Sequence, residues 1–289
     1  MKIYKANTFS EVYHDVLRDI YFEPEYQTQP RDLKINEYCD VALSINNPLS
    51  CLYSNAVRSS QYKYIAAEFL WYFSGRNDVD FIKEYAKFWL NIANPDGTCN
   101  SSYGNLLFNN LTPSGMTQYA WAYNSLVNDK DSRQAVIHFN LPTHQYDGNK
   151  DFVCTMYGIF QIRNNKLNFT ISMRSNDAIL GLPTDVAFFC TLQQQMLVHL
   201  KPTYPELELG EYTHIANSLH IYENNFKVVE EMLNEDFTPE EMPIVKESLI
   251  NKNGSPAFAL NNLLNNKSDA SYSNSDEVYS WIHKKINKL

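Results

Sequence analysis

The chain has 289 residues, 44% of them apolar, with 20 Tyr and 16 Phe against 9 Gly and 12 Pro, a balance that excludes disordered and fibrous classes and suits one enzyme-sized core. A formal net charge of -9 excludes a broad nucleic-acid surface, because rows of phosphates require clustered Lys and Arg, yet it allows a small anion held by a few arginines. The five cysteines, at 39, 51, 99, 154 and 190, form no CxxC pair and fit neither a disulfide framework nor a zinc site, so reduced thiols and no metal are expected.

Residues 1–21 carry no apolar leader, and no apolar run approaches the roughly 18 residues of a membrane span, which predicts a cytoplasmic protein without a membrane partner. FSEVYHDVLRDIY at 9–21 places apolar side chains at helical spacing, with Ser10 as the expected N-cap. YKYIAAEFLWYF at 62–73 is a second helix, apolar on almost every side except at Glu68, and it stops at Ser74-Gly75. Residues 153–173 read as two strands joined by the turn Arg163-Asn164-Asn165-Lys166, since Asn tolerates the left-handed backbone of a tight hairpin. After Leu180-Gly181-Leu182-Pro183, residues 185–200 form a mostly buried helix with Asp185 at its start. Beyond residue 224 the chain is more polar, with NNLLNNKSDASYSNSDE expected as a loop before a short terminal helix. No internal repeat or domain boundary interrupts residues 1–289, and one mixed α/β domain is expected.

Two features carry possible chemistry, and three further segments read as structural. Folding the hairpin brings Cys154 to Arg174-Ser175-Asn176-Asp177, and a thiol beside a guanidinium is expected to have a lowered pKa; the alternative is an ordinary buried thiol. Glu68 inside an apolar helix is either a carboxyl with a raised pKa, usable in proton transfer, or part of a polar stripe. Asp185 suits a helix cap, His220-x-Tyr222 a strand, and Asp131-Ser132-Arg133 a turn.

In order and spacing these segments resemble the thymidylate synthase and deoxycytidylate hydroxymethylase family over about residues 20–225. The residues that carry the resemblance are Glu68-Phe69-Leu70-Trp71, Ser102-Tyr103-Gly104, Asp131-Ser132-Arg133, Cys154, Arg174-Ser175-Asn176-Asp177, Leu180-Gly181-Leu182-Pro183 and Ser218-Leu219-His220-Ile221-Tyr222. The resemblance implies an α+β fold with a large mixed sheet packed by helices, one sheet face serving for homodimerisation. It implies that Cys154 is the nucleophile at C6 of a pyrimidine nucleotide, with Glu68, Tyr103, Asp177 and Asp185 in the catalytic set. Arg31, Arg174, Ser175, Asn176, His220 and Tyr222 would hold the nucleotide, together with Arg133 lent by the other subunit. Trp71, Trp89, Asp177 and Gly181 would face 5,10-methylenetetrahydrofolate as co-substrate.

Several departures narrow the expectation. Asp185 stands where thymidylate synthases carry the asparagine that reads uracil; a carboxylate repels uracil O4, whereas a carboxyl accepts from cytosine N4 and, protonated, donates to N3. Thr155 follows the cysteine in place of the family's histidine, as in phage deoxycytidylate hydroxymethylases. Ile286-Asn287-Lys288-Leu289 lacks the apolar ending that closes the synthase site, so water access and a hydroxymethyl product are expected. Gln134 replaces a second arginine and removes a possible phosphate contact. Thymidylate synthase, deoxyuridylate or CMP hydroxymethylase activity, and a non-catalytic dimer binding RNA, remain as alternatives. A cysteine hydrolase pairing Cys154 with His144 finds no support in the spacing.

Overall fold

A computed structural model describes residues 1–265 and 277–287. In chain order its elements are β1 (Lys2–Ala6), α1 (Phe9–Phe22), β2 (Tyr26–Thr28), β3 (Ile35–Ile45), β4 (Leu52–Asn55), α2 (Tyr62–Phe73), α3 (Phe88–Ile92), α4 (Tyr103–Phe108) and α5 (Gln118–Asn128). There follow β5 (Val136–His138), β6 (Thr155–Arg163), β7 (Lys166–Met173), β8 (Asn176–Asp177), α6 (Leu182–Leu200), β9 (Glu208–Tyr222), α7 (Phe226–Leu233), β10 (Phe237–Glu240), α8 (Phe258–Leu264) and α9 (Glu277–Asn287).

Eight strands form one mixed sheet in the order β1-β3-β9-β7-β6-β5, with β2 on β3 and β8 on β9. β6 and β7 pair antiparallel with Arg163 opposite Lys166. Asn164 (φ 51°) and Asn165 (φ 56°) supply the two left-handed residues that a two-residue hairpin needs. β7 and β9 run parallel, so the chain must cross over between them, and α6 is that crossover. Side-chain alternation turns Phe160, Phe169, Ile171, Met173, Tyr212 and Ala216 into the core. Phe160 and Phe169 stack at 3.9 Å between ring centroids. The opposite face carries Tyr157, Ile159, Thr170, Thr213 and Ile215, and Ser44 on β3 lies in register with Thr213, their hydroxyls 3.3 Å apart.

The helices cover the core face. α1 is capped by Thr8, not Ser10: the Thr8 hydroxyl accepts from the Glu11 amide at 3.3 Å, while Glu11 accepts from the Thr8 amide at 2.9 Å. Ser10 instead is buried and donates to the Leu52 carbonyl. α2 ends at Ser74, and Gly75 adopts φ 70°. Gly104 lets α4 meet α2 closely, since a Cβ there would lie 1.7 Å from the Tyr72 carbonyl oxygen. α6 begins three residues before the expected start, with Pro183 in its first turn and Asp185 inside that turn.

Residues 261–264, expected to begin a loop, instead complete α8 (Phe258–Leu264), because Ala259, Leu260 and Leu263 are buried together on it. Residues 266–276 lie outside the described residues; the terminal helix is present as α9, and it packs Trp281 against Phe69 and Tyr62 of α2. Among the described residues no helix is long and apolar enough to cross a membrane, and no group of three or more His, Cys, Asp or Glu side chains is arranged to hold a metal ion.

Candidate active site

Cys154 lies one residue before β6, so the first strand of the hairpin starts later than position 153. Arg174 follows β7 directly, and its amide donates to the Cys154 carbonyl at 2.9 Å, which closes the hairpin ends together. The guanidinium donates to the carbonyls of Phe152 and Val153, rests 4.7 Å from the centre of the Phe152 ring, and places Nη2 3.5 Å from Cys154 Sγ. The expected lowering of the thiol pKa is not the net result. Burial pushes it up, Asp185 and Asp151 push the same way, and Arg174 and Arg31 only partly oppose them.

Glu68 is buried on α2, and its Oε1 accepts hydrogen bonds from Tyr64 Oη at 2.8 Å and Tyr72 Oη at 3.3 Å. Desolvation, with a further push from Asp185, raises its pKa to about 8 despite both phenols. Trp89 Nε1 in turn donates to Tyr64 Oη at 3.0 Å, so an indole, a phenol and a carboxyl form one line. Tyr64 and Tyr72 were not singled out from the sequence, although their spacing of four residues on either side of Glu68 puts all three on one helix face. Trp71, expected at the folate, has no exposed surface; its indole donates to the Asp78 carbonyl and it backs Trp89 at 4.9 Å.

Asp185 is held from the side by Asn176, whose Nδ2 donates to Oδ2 at 2.7 Å. Burial raises the Asp185 pKa to about 7; the Asn176 bond works against this and the Asp177 charge with it. Gly181 leaves the space this pair occupies, since a Cβ there would stand 3.0 Å from Asn176 Nδ2 and 3.4 Å from Asp185 Oδ2. Asp177 Oδ1 accepts the amides of Ile179 at 2.7 Å and Leu180 at 3.1 Å, fixing the turn that enters α6. Its neighbour Ser175 is half-buried between Arg174 and β8.

Tyr103 opens α4 and stacks on Tyr72 and Phe189. Its phenol oxygen accepts from Thr155 Oγ1 at 2.8 Å, and the charges of Asp185, Cys154 and Glu68 all reach it. Thr155, noted in the sequence only as a departure, therefore orients a site tyrosine. Asp151, also missed, accepts from the Ser101 amide at 2.7 Å and from the Ser101 hydroxyl, tying the approach to α4 beside Cys154.

On β9, His220 is paired in register with Asp177 of β8 on one side and Glu37 of β3 on the other. Burial lowers its pKa, so it sits as a neutral imidazole with Nδ1 3.3 Å from Ser218 Oγ. The His220 and Tyr222 rings meet edge to face at 5.0 Å. The Arg31 charge reaches Tyr222, Cys154 and His220. Arg31 and Asp32 hold successive left-handed angles, φ 54° and 62°, a strain of the kind that clusters at binding sites. Of the arginines named from the sequence, Arg133 alone is not brought to this place. It is exposed at the far end of β6, where Arg163 bonds the Asp131 carbonyl, roughly 25 Å along the strand from Cys154.

The thymidylate synthase family model matches residues 11–263. The chain is 27% identical over 280 residues to the deoxyuridylate hydroxymethyltransferase of Bacillus phage SP01, covering 91% of this chain and 72% of that protein. It is 30% identical over 175 residues to the deoxycytidylate 5-hydroxymethyltransferase of Enterobacteria phage T6, covering 58% and 70%. A thermostable thymidylate synthase A from Bacillus subtilis shares the fold with TM-score 0.66 at 20% identity, over 81% of this chain and 86% of that one. With its matched span, its sheet order and the cluster around Cys154, the chain belongs to the thymidylate synthase family of one-carbon transferases.

Proposed function

We propose that the chain is a deoxycytidylate 5-hydroxymethyltransferase, and the observation that carries this reading is the half-buried Asp185 carboxyl in the first turn of α6, hydrogen-bonded by Asn176 and with its pKa raised to about 7. A neutral carboxyl at the base-reading position offers an acceptor to cytosine N4 and a donor to N3. The Cys154 sulfur, its proton passed to solvent water, adds to C6 as the thiolate, and the addition makes C5 a carbon nucleophile. Negative charge gathers on N3 during that addition, and a proton donated there by Asp185 stabilises the transition state more than the ground state.

Arg174 keeps the sulfur in place, and with Arg31, Ser175, His220 and Tyr222 it forms the nucleotide cradle. Glu68, held by Tyr64 and Tyr72, takes the C5 proton after the new carbon-carbon bond is made, and its raised pKa suits both acceptance and release near neutrality. Methylenetetrahydrofolate would supply the one-carbon unit at the formaldehyde oxidation level and leave as tetrahydrofolate, so that addition of water to the transferred carbon and departure of the Cys154 sulfur from C6 would complete a hydroxymethyl product with no outside reductant. The residues fit such a co-substrate: Asp177 and Gly181 face each other at the entry to α6, and Leu180 beside them exposes an apolar side chain. Trp89 supports this site from Tyr64.

The sheet face bearing Tyr157, Thr170, Thr213 and Ile215 is read as a homodimer interface, which would let Arg133 of one subunit reach the nucleotide phosphate of the other. A deoxyuridylate hydroxymethyltransferase is the second reading, favoured by the 91% coverage of the phage SP01 relative. Mass spectrometry of products from dCMP, dUMP and CMP with methylenetetrahydrofolate tests both. A 5-hydroxymethyl product formed mainly from dCMP is expected, and a preference for dUMP or a methyl product would overturn the first reading.

A further inference from the structure

We infer that Asn176 is a specificity-determining residue: by hydrogen-bonding one oxygen of the Asp185 carboxyl it fixes which oxygen carries the proton, and so which pyrimidine a neutral Asp185 accepts. This rests on the base-reading role proposed above for Asp185. A neutral carboxyl by itself is ambidextrous. Its proton can sit on either oxygen, so it matches the cytosine edge, with N4–H donating and N3 accepting, or the uracil edge, with O4 accepting and N3–H donating. A residue that makes the two oxygens unequal is therefore needed before protonation can mean cytosine.

Asn176 Nδ2 donates to Asp185 Oδ2 at 2.7 Å. The carbonyl oxygen of a carboxylic acid is the better acceptor, so this bond holds Oδ2 as the carbonyl and leaves the proton to Oδ1. Both partners are anchored. Asn176 is hydrogen-bonded into β8 opposite Leu219, and Asp185 sits in the first turn of α6. The amide orientation has a physical basis as well. Asn176 Oδ1 is buried with no hydrogen-bond partner among the described residues, and turning the amide would bury an unpaired NH₂ there, which proteins tolerate less well than an unpaired carbonyl.

The titratable groups in electrostatic reach of Asp185 are Asp177 on β8, whose charge acts on it, and Glu68, Tyr64 and Tyr72 on α2, Tyr103 on α4, Tyr212 on β9 and Cys154 before β6, on which the Asp185 charge acts. Each is neutral or negative, and of the neighbours acting on Asp185 it is Asn176 that favours the ionised form. Removing it should therefore change both the proton's location and the pH at which it leaves.

The test compares kcat/KM for C5-tritiated dCMP and dUMP by proton release, from about pH 5.5 to 9, in the wild-type chain, Asn176→Ala and Asn176→Ser. In Asn176→Ala the dCMP-to-dUMP ratio is expected to fall about tenfold or more, with the dUMP constant rising, while the decline of dCMP turnover moves to higher pH. Asn176→Ser, whose hydroxyl can donate, should recover part of the ratio. A wild-type preference for dCMP that Asn176→Ala retains overturns the inference alone. An equal loss on both nucleotides with a lower unfolding temperature overturns it too, as mere packing support. A wild-type preference for dUMP removes the reading of Asp185 and the inference with it.

Discussion

Glu68, buried on α2, and Asp185, half-buried on α6, are carboxyls with pKa values pushed toward neutrality, about 8 and about 7, and the charge of Asp185 adds to the upward push on Glu68. On the proposed mechanism two such groups would divide the labour of proton transfer by environment, since one is braced by phenols and the other by an amide.

That division gives a pH profile. Turnover of dCMP should decline as pH rises through about 7, where Asp185 loses its proton. The Tyr64 hydroxyl stabilises ionised Glu68, so Tyr64→Phe should raise the Glu68 pKa further and move the step that depends on its ionised form to higher pH. Rate profiles of the two chains check this; superimposable profiles would remove Tyr64 from the proton path.

Asp185→Asn should shift preference from cytosine toward uracil nucleotides by about tenfold or more in the ratio of specificity constants. An unmoved ratio, measured with both nucleotides in one assay, would take base reading away from Asp185.

Cys154→Ala should abolish product formation while nucleotide binding by calorimetry persists, because Arg174 keeps its bonds to the Phe152 and Val153 carbonyls without the thiol. Retained turnover would exclude a covalent adduct.

Arg133→Ala and Cys154→Ala chains should each be nearly inactive alone. Mixed and reassorted, they should recover about a quarter of wild-type activity, since each hybrid dimer contains one intact site. No recovery, with hybrids demonstrated by mass, would place Arg133 outside the partner's site.

Acid stability should depend on His199. Burial lowers its pKa from 6.5 to about 4, and it is held neutral between Tyr119 Oη at 2.9 Å and the Ile250 carbonyl at 3.0 Å. A lowered folded pKa stabilises the fold fully above 6.5, and this contribution, about 3 kcal/mol at most, is lost as pH falls from 6.5 to about 4. Thermal unfolding of His199→Gln should show a flatter dependence across that window; an unchanged slope would assign acid sensitivity elsewhere, with His214 the next candidate.

Much of this was legible in the sequence wherever a residue's local pattern and its tertiary role coincide. The Asn-Asn turn, the apolar helix around Glu68 and the crossover helix after Pro183 each announce themselves within a few residues. The cap of α1 was misplaced because Ser10 and Thr8 are both capping residues, and only the reciprocal bond with Glu11 separates them. The direction of the Cys154 pKa depends on burial and on carboxyls from distant segments, which no reading of its neighbours contains. Thr155 and Asp151 act through hydrogen bonds to residues brought close by the fold, so their types alone carry no signal, and the bond from Asn176 to Asp185 is likewise visible only in the folded chain.

The β7-α6-β9 crossover concentrates the pocket in one stretch of chain. Arg174, Asn176, Asp177, Asp185, His220 and Tyr222 all lie on or beside this one unit, whereas Glu68, with its two phenols, and Tyr103 come from helices earlier in the chain. A shift of α6 along the sheet would therefore move Asp185 relative to His220 and Tyr222 on β9 and to Glu68 on α2 at the same time.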